Sequence, residues 1–399
     1  MFAHVDAYAG DPIFKLNDEF HQDPRKGKIN LTIGIYFDEA GRLPVMGAVR
    51  QAESALLGSV GAKPYLPMSG DPAYRQQVQQ LLFGAEHEAV KAGRIVTIQT
   101  LGGSGALKVG ADFLRSYFPG AEVWVSDPSW DNHRSIFEGA GFTVHTYPYY
   151  DATTGGVRFA AMMDSLASLP ARSIVLLHAC CHNPTGVDLS PAQWDELVAL
   201  MQRRGLIAFA DIAYQGFGDG VEEDAYALRA LARGGVPTLV ANSFSKSFSL
   251  YGERCGGLSV VCPDAAQAGL VLGQLQLTVR KNYSSPPIHG ARIVERVLAD
   301  PALRQSWQDE LGTMRQRIQD MRGRLHAALS ERLPGRALDY FITQRGMFSY
   351  TGLSAAQVDV LREQHGVYLL RSGRMCVAGL NTANVGPTAA AMAQVMAAG

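Results

Sequence analysis

The sequence predicts an α/β chain built on a mainly parallel sheet, and three observations predict it. From about residue 95 short apolar runs alternate with helical stretches, hydrophobic residues make up 47% of the 399 positions, and 18% are charged. Alternation of this kind implies strands joined by helical crossovers, with both faces of the sheet covered. The chain is about twice the length of an ordinary domain, so two domains, or one large domain with an appendage, are expected.

The strands come first. AEVWVSD (121–127), RSIVLLHACC (172–181), GLIAFAD (205–211), PTLVANS (237–243) and GGLSVVC (256–262) are short apolar runs that read as buried strands. Among the helices, SGALKVGADFLRSYF (104–118) sets Leu107, Ala111, Leu114 and Phe118 on one face. SPAQWDELVALM (190–201) opens with Ser190, Pro191 and Gln193, the pattern of a capping box. From about 301 a long amphipathic helix carries Leu303, Trp307, Leu311, Met314, Ile318, Met321 and Leu325 on one stripe. It could bridge a large domain to a smaller C-terminal one. There Ser354 and Gln357 open a further capped helix, and GMFSYTGL and GRMCVAGL read as strands.

Charge and composition exclude several classes. A formal net charge of −1 gives no basic footprint, so nucleic acid is not the expected partner. No apolar run approaches the roughly 18 residues of a membrane span. The N-terminus MFAHVDAYAGDPIF lacks the charge-then-apolar order of a signal peptide, which makes a cytoplasmic location the expectation. Cysteines 180, 181, 255, 262 and 376 fit neither a disulfide framework nor a zinc spacing, and no metal site is expected.

In a parallel sheet the chemistry sits just beyond the carboxyl ends of the strands. Four stretches lie there or beside it. CHNPTG places Asn183 before a turn, which alone could be an ordinary Asn-Pro turn. ADIAYQGF ends a strand at Asp211 with Tyr214 three residues on, and such an aspartate is often a helix N-cap. NSFSKSFSLYGER isolates Lys246 among serines and aromatics, with Arg254 following. TLGGSGALKVG runs a glycine-rich turn into a helix, suited to one phosphate at the helix N-terminus.

One cofactor uses all of these parts. A strand-end lysine can form a Schiff base with an aldehyde, and an ionised aspartate can keep a pyridinium nitrogen protonated. The glycine-rich helix start with Ser104, together with Ser243 and Arg254, supplies donors for a phosphate monoester. Asn183 and Tyr214 can hydrogen-bond a ring oxygen, and Trp130 in DPSWDNH can stack on a flat ring. Pyridoxal 5′-phosphate, held covalently at Lys246, is the expected cofactor.

These stretches carry a resemblance. With DAYAGDPI, YLPMSG, VRKNYSSPP, RGMFSYTGLSAAQV and SGRMCVAGLNTANV, the chain resembles the fold-type I, class I aminotransferases nearly end to end, and most closely their aromatic-amino-acid branch beside the aspartate branch. The resemblance implies a large domain (46–310) with a mainly parallel seven-stranded sheet, a small α/β domain from both termini (13–45 and 311–399), and an N-terminal arm (1–12) on a partner subunit. Lys246 would be the Schiff-base lysine and proton shuttle, Asp211 the partner of the ring nitrogen, and His133 the support behind it. Gly103, Ser104, Ser243, Ser245 and Arg254 would form the phosphate cradle, and Tyr65 would reach that phosphate from the neighbouring subunit of a homodimer. Arg374, with Asn183, Trp130 and Gly34, would hold the substrate α-carboxylate, Phe348 would lie near the substrate, and Arg280 of the partner subunit would meet a side-chain carboxylate.

The activity so implied is ping-pong transfer of the amino group from aromatic and dicarboxylic amino acids to 2-oxoglutarate. Strict aspartate preference is the first alternative, β-elimination or decarboxylation on the same fold the second. A non-catalytic regulator module would need a basic DNA-binding extension, for which a chain starting at MFAHVDAYAGDP leaves no room. Two positions depart from the resemblance: Ser285, where the aspartate branch commonly has asparagine, and Arg371, where a small residue is more usual. Ser285 agrees with the aromatic branch. Arg371 has no role that the sequence explains.

Overall fold

The computed structural model describes residues 1–8, 10–58 and 61–398. The chain forms two compact units. The larger comprises Pro44–Arg317 with Gln344–Gly346, and the smaller comprises Met1–Leu43, Ile318–Thr343 and Met347–Gly399. The boundary at 317/318 falls within the helix Pro301–Arg332.

The larger unit is built on a seven-stranded sheet in the order Ile95–Leu101, Cys255–Val261, Thr238–Ser243, Ile207–Ile212, Ile174–His178, Val123–Asp127, Val144–Pro148. Cys255–Val261 runs antiparallel to both its neighbours, and the remaining pairs are parallel. Ile207–Ile212 and Thr238–Ser243 are buried at every position, as strands covered on both faces must be. The helix Gly102–Tyr117 covers one face with Ala106, Leu107, Val109, Phe113 and Leu114. It starts two residues earlier than the sequence reading, so the glycines are its first turn rather than a loop before it.

Register decides which side chains meet at the strand ends. His178 pairs with Asp211, and Ile212 with Asn242. On the antiparallel side Cys255 pairs with Leu101, and Gly256 with Ser243. The segments beginning at Gly102, at Ser243 and ending at Arg254 therefore emerge from one edge of the sheet.

Local signals end the helices where expected. Ser190 Oγ accepts the N–H of Gln193 at 3.3 Å while Gln193 Oε1 accepts that of Ser190 at 2.9 Å, and left-handed Gly205 closes the helix Pro191–Arg204. On the long helix, Trp307 packs on Phe248 and donates its indole N–H to the Ser247 carbonyl at 2.7 Å. In the smaller unit, Ile29–Asn30 pairs in parallel with Val367–Tyr368, and Phe348–Tyr350 pairs antiparallel with Arg374–Cys376. Helix Ala355–His365 packs against Val367–Tyr368 and against helix Val385–Ala397. Segments near both termini thus build one small α/β unit.

Candidate active site

The site starts from what the helix Gly102–Tyr117 lacks. Its N-cap is Leu101, which makes no side-chain cap hydrogen bond, so the first-turn amides of Gly102, Gly103 and Ser104 could serve a ligand. Gly102 has φ +66°, and a Cβ there would lie 2.8 Å from Arg254 Nη2. A Cβ on Gly256 would sit 2.5 Å from the carbonyl carbon of Gly102. Only glycine permits this approach, which brings the Arg254 guanidinium over the helix start. Arg254 Nη1 donates to Ser245 Oγ at 3.3 Å and to the Tyr251 carbonyl at 3.0 Å, and Ser243 Oγ accepts the Ser245 N–H at 3.2 Å. The result is a positively polarised cradle whose dimensions are set by glycine.

One strand over, Asp211 is 9% exposed and its two oxygens differ. Oδ2 accepts from His133 Nε2 at 2.8 Å, whereas Oδ1 is buried with no hydrogen-bond partner among the described residues. Burial opposes the charge, but the hydrogen bond and electrostatic attraction of His133, with smaller contributions from His178 and Lys246, outweigh it and hold the carboxyl below its ordinary value. A buried carboxylate oxygen left without a donor costs about 1–3 kcal/mol, so Oδ1 is shaped for a donor that arrives with a ligand.

The bonds behind Asp211 have a fixed direction. The Asn183 N–H donates to His178 Nδ1 at 3.3 Å, so the proton of that ring is on Nε2. Nε2 faces Ser129 Oγ at 3.3 Å, leaving the hydroxyl hydrogen for His133 Nδ1 at 3.0 Å. His133 therefore carries its own proton on Nε2 and donates it to Asp211. Burial pushes His178 down to about 3, so it keeps the neutral form this relay needs. The sequence reading included His133 but missed Ser129 and His178. Their one available signal was a position just beyond, or at the end of, an apolar strand.

Lys246 is half-buried, with Nζ 5.1 Å from the centroid of the Tyr214 ring. Tyr214 and Asn183 are buried, and Trp130 stands edge-on to His133 at 5.1 Å. Lys246, Asp211, Asn183, Tyr214, Trp130, His133 and the cradle all belong to the larger unit. Tyr65 and Arg280 belong to it as well, but on its surface: Tyr65 is 94% exposed, and exposed Arg280 donates to Ser284 Oγ. Cys180, Cys181 and Asp224 also come together, but the Asp224 carboxylate is occupied by the N–H groups of Gly216, Gly218 and Asp219.

Gly34, Phe348 and Arg374 form a second group, in the smaller unit. Arg374 is buried, donates from Nη2 to the Thr32 carbonyl at 2.8 Å, and lies 4.4 Å over the Phe348 ring. Phe348 Cζ would be 2.8 Å from a Cβ on Gly34, so glycine is required there. Arg322, which sequence reasoning did not single out, is buried and donates to the carbonyls of Phe348 and Phe341. Arg371 forks onto Asp359, Nε to Oδ1 at 3.1 Å and Nη2 to Oδ2 at 2.9 Å, which ties its turn to the helix Ala355–His365.

Known proteins resemble this chain in sequence and in fold. Residues 26–392 match the family described as aminotransferase class I and II. The chain is 62% identical over 397 residues to the aromatic-amino-acid aminotransferase of Escherichia coli K12, covering 99% of this chain and all of that one. The crystal structure of an aromatic amino acid aminotransferase from Burkholderia cenocepacia superposes with a TM-score of 0.98 at 63% identity, both chains fully covered. That of an aromatic-amino-acid aminotransferase from Burkholderia pseudomallei, covalently bound to pyridoxal phosphate, gives 0.97 at 51%, with 99% of each chain covered. By sequence and by fold, this chain belongs to the class I and II aminotransferases.

Proposed function

We propose that the chain is a pyridoxal 5′-phosphate-dependent aminotransferase that takes aromatic and dicarboxylic amino acids as donors and 2-oxoglutarate as acceptor. The observation that carries this reading is Asp211 Oδ1, buried without a partner on the strand beside the one that leads to Lys246. A pyridinium N–H would satisfy it. The uncapped helix start with Arg254, Ser243 and Ser245 would take the phosphate, and Asn183 and Tyr214 the ring oxygen. When bound, the cofactor supplies an electron sink for the pair left at the substrate Cα.

The chain's own residues do the rest. Lys246 would hold the cofactor covalently and, once released, its neutral Nζ would take the proton from the substrate Cα and return it two atoms away, on the cofactor's aldehyde-derived carbon. Asp211, backed by His133, keeps the ring nitrogen protonated. Arg374, braced by Phe348 and the Thr32 carbonyl, is assigned the substrate α-carboxylate through two parallel bonds, a role the same reading extends to Asn183, Trp130 and the backbone at Gly34. Arg280 receives the side-chain carboxylate of dicarboxylic donors and is displaced or shielded when an aromatic ring enters.

Surface Tyr65 and Arg280 act in the site of a second copy of the chain, so the working form is a homodimer. Exposed Met1, Phe2, Val5 and Tyr8 support a 1–12 arm lying on that partner. The proposed division takes residues 46–310 as the large cofactor-binding domain and 13–45 with 311–399 as the small domain, with the cytoplasm as the location. No helix among the described residues is long and apolar enough to cross a membrane.

A visible absorbance band from bound cofactor should bleach on adding phenylalanine and return with 2-oxoglutarate. Lys246→Ala should abolish turnover, and a wild-type protein without such a band would overturn the reading. The second reading, strict aspartate preference, is favoured by Arg280 alone. A kcat/KM for phenylalanine or tyrosine far below that for aspartate would select it.

A further inference from the structure

The turn that carries Asn183 is gripped from far away in the sequence. Asp188 accepts the backbone N–H of Cys181 at 2.7 Å and of His182 at 2.8 Å, which holds one side of residues 181–186. The other side meets Gln344–Gly346, the three residues that belong to the larger unit although the chain before and after them belongs to the smaller. The Arg345 N–H donates to the Gly186 carbonyl at 2.5 Å, and the Arg345 side chain pairs with Asp219 at 3.1 Å. Gly346 abuts Cys181 so closely that a Cβ on Gly346 would fall 2.5 Å from Cys181 Cβ and 2.8 Å from its Sγ. Both residues are left-handed, Gly346 at φ +73° and Cys181 at φ +51°.

We propose that Gln344–Gly346 is a strap that positions Asn183, with the Gly346–Cys181 contact setting how far the turn can move. This rests on the cofactor reading above, in which Asn183 donates to the ring oxygen. Cys181 is fully buried and carries the strained φ, so pressure on its Cβ cannot be relieved by rotating a flexible side chain into solvent. It passes along the backbone to Asn183, two residues on. A donor moved off the ring oxygen stabilises the ionised form less, so the pH midpoint of the bound cofactor's absorbance should rise. Gly346 is thus a positioning residue that touches neither cofactor nor substrate.

The test compares Gly346→Ala with Gly235→Ala in the holoenzyme. Gly235 has a similar φ, +66°, and open space around it, so its variant carries the backbone strain without the collision. Both should melt at lower temperature. Gly346→Ala alone should raise the absorbance midpoint by about half a unit to one unit and weaken cofactor binding to the apo-protein about three- to tenfold, as expected for a loosened charge-assisted bond. Adding Cys181→Gly, which removes the colliding atoms at a φ glycine accepts, should return both readings toward wild type. If Gly346→Ala fails to fold, Arg345→Ala loosens the other end of the strap through a side chain that is 41% exposed, and the midpoint should again rise. A midpoint that stays at the wild-type value in the folded variants, or one that the double substitution does not restore, overturns the proposal. A wild-type protein that binds no cofactor overturns the underlying reading instead.

Discussion

Asp211 and His133 share one bond of 2.8 Å and leave one carboxylate oxygen over, buried and unpaired among the described residues. The carboxyl is held below its ordinary value, so it meets an arriving cation already ionised. Removing the carboxylate removes a charge-assisted bond to the ligand, whereas removing His133 removes only its support. Asp211→Ala should weaken binding of pyridoxal 5′-phosphate to the apo-protein about a hundredfold, and His133→Ala about tenfold. Equilibrium titration reads both. Equal affinities in the two variants and wild type would remove Asp211 from the site.

Asp188 predicts a pH dependence of opposite sign. Burial raises its carboxyl to about 6, against two backbone N–H groups that favour the charge. A group whose folded value lies above its unfolded value contributes stability that is present below the unfolded value, near 4, and lost as pH rises through the folded one. Unfolding free energy should therefore fall between about pH 4 and pH 6, by an amount on the order of 3 kcal/mol if nothing else titrates. Asp188→Asn should flatten this slope and cost about 1–3 kcal/mol throughout, because the amide can accept only one of the two bonds through its oxygen. Urea midpoints at several pH values decide; a slope that persists in the variant clears Asp188 of the effect.

Two glycines in helices should respond oppositely to the same change. Alanine gains about 1 kcal/mol over glycine in a helix interior. At Gly323, in Pro301–Arg332, nothing lies within 4 Å of the new Cβ, so Gly323→Ala should stabilise by about that amount. At Gly110 the Cβ would lie 2.5 Å from Phe209 Cζ, on a fully buried ring. Overpacking costs about 1–3 kcal/mol and outweighs the propensity gain, so Gly110→Ala should lower the melting temperature. A rise for Gly110→Ala would mean that the helix shifts freely over the sheet.

What was legible in the sequence follows from how local each signal is. Lys246, Asp211 and Asn183 follow or end apolar runs, and a strand end can be read from the run itself. Both capping boxes are four-residue patterns and formed as read. The strand Val144–Pro148 is harder to read, because an edge strand covered on one side needs fewer apolar residues. Ser129 and His178 act only through register, which brings His178 beside Asp211. Gly346 meets Cys181 through tertiary packing alone, and no spacing announces it. The departure at Arg371 finds its partner in Asp359 on another element, and being 65% exposed it should matter little. Arg371→Ala is expected to leave kcat/KM within about twofold and stability within about 1 kcal/mol, by assay and melting curve.

Arg280 offers the sharpest test of shared sites. It is exposed, and its assigned role is in the site of the partner copy. Arg280→Leu should lower kcat/KM for aspartate on the order of a hundredfold or more, through loss of a guanidinium–carboxylate pair, and change it for phenylalanine by less than about tenfold. Lys246→Ala alone should be inactive. When the two variants are unfolded together and refolded as a mixture, half of the sites in each mixed dimer pair an intact Lys246 with an intact Arg280, provided Arg280 crosses between subunits. Aspartate activity should then return, although neither parent has it. If each site used its own Arg280, the mixed dimer would hold one site without its lysine and one without its arginine, and aspartate activity would stay lost. Phenylalanine turnover in the same mixture reports how many sites with an intact Lys246 have refolded, and a different affinity tag on each variant reports how much mixed dimer has formed, so neither failed refolding nor failed mixing can pass for a negative result.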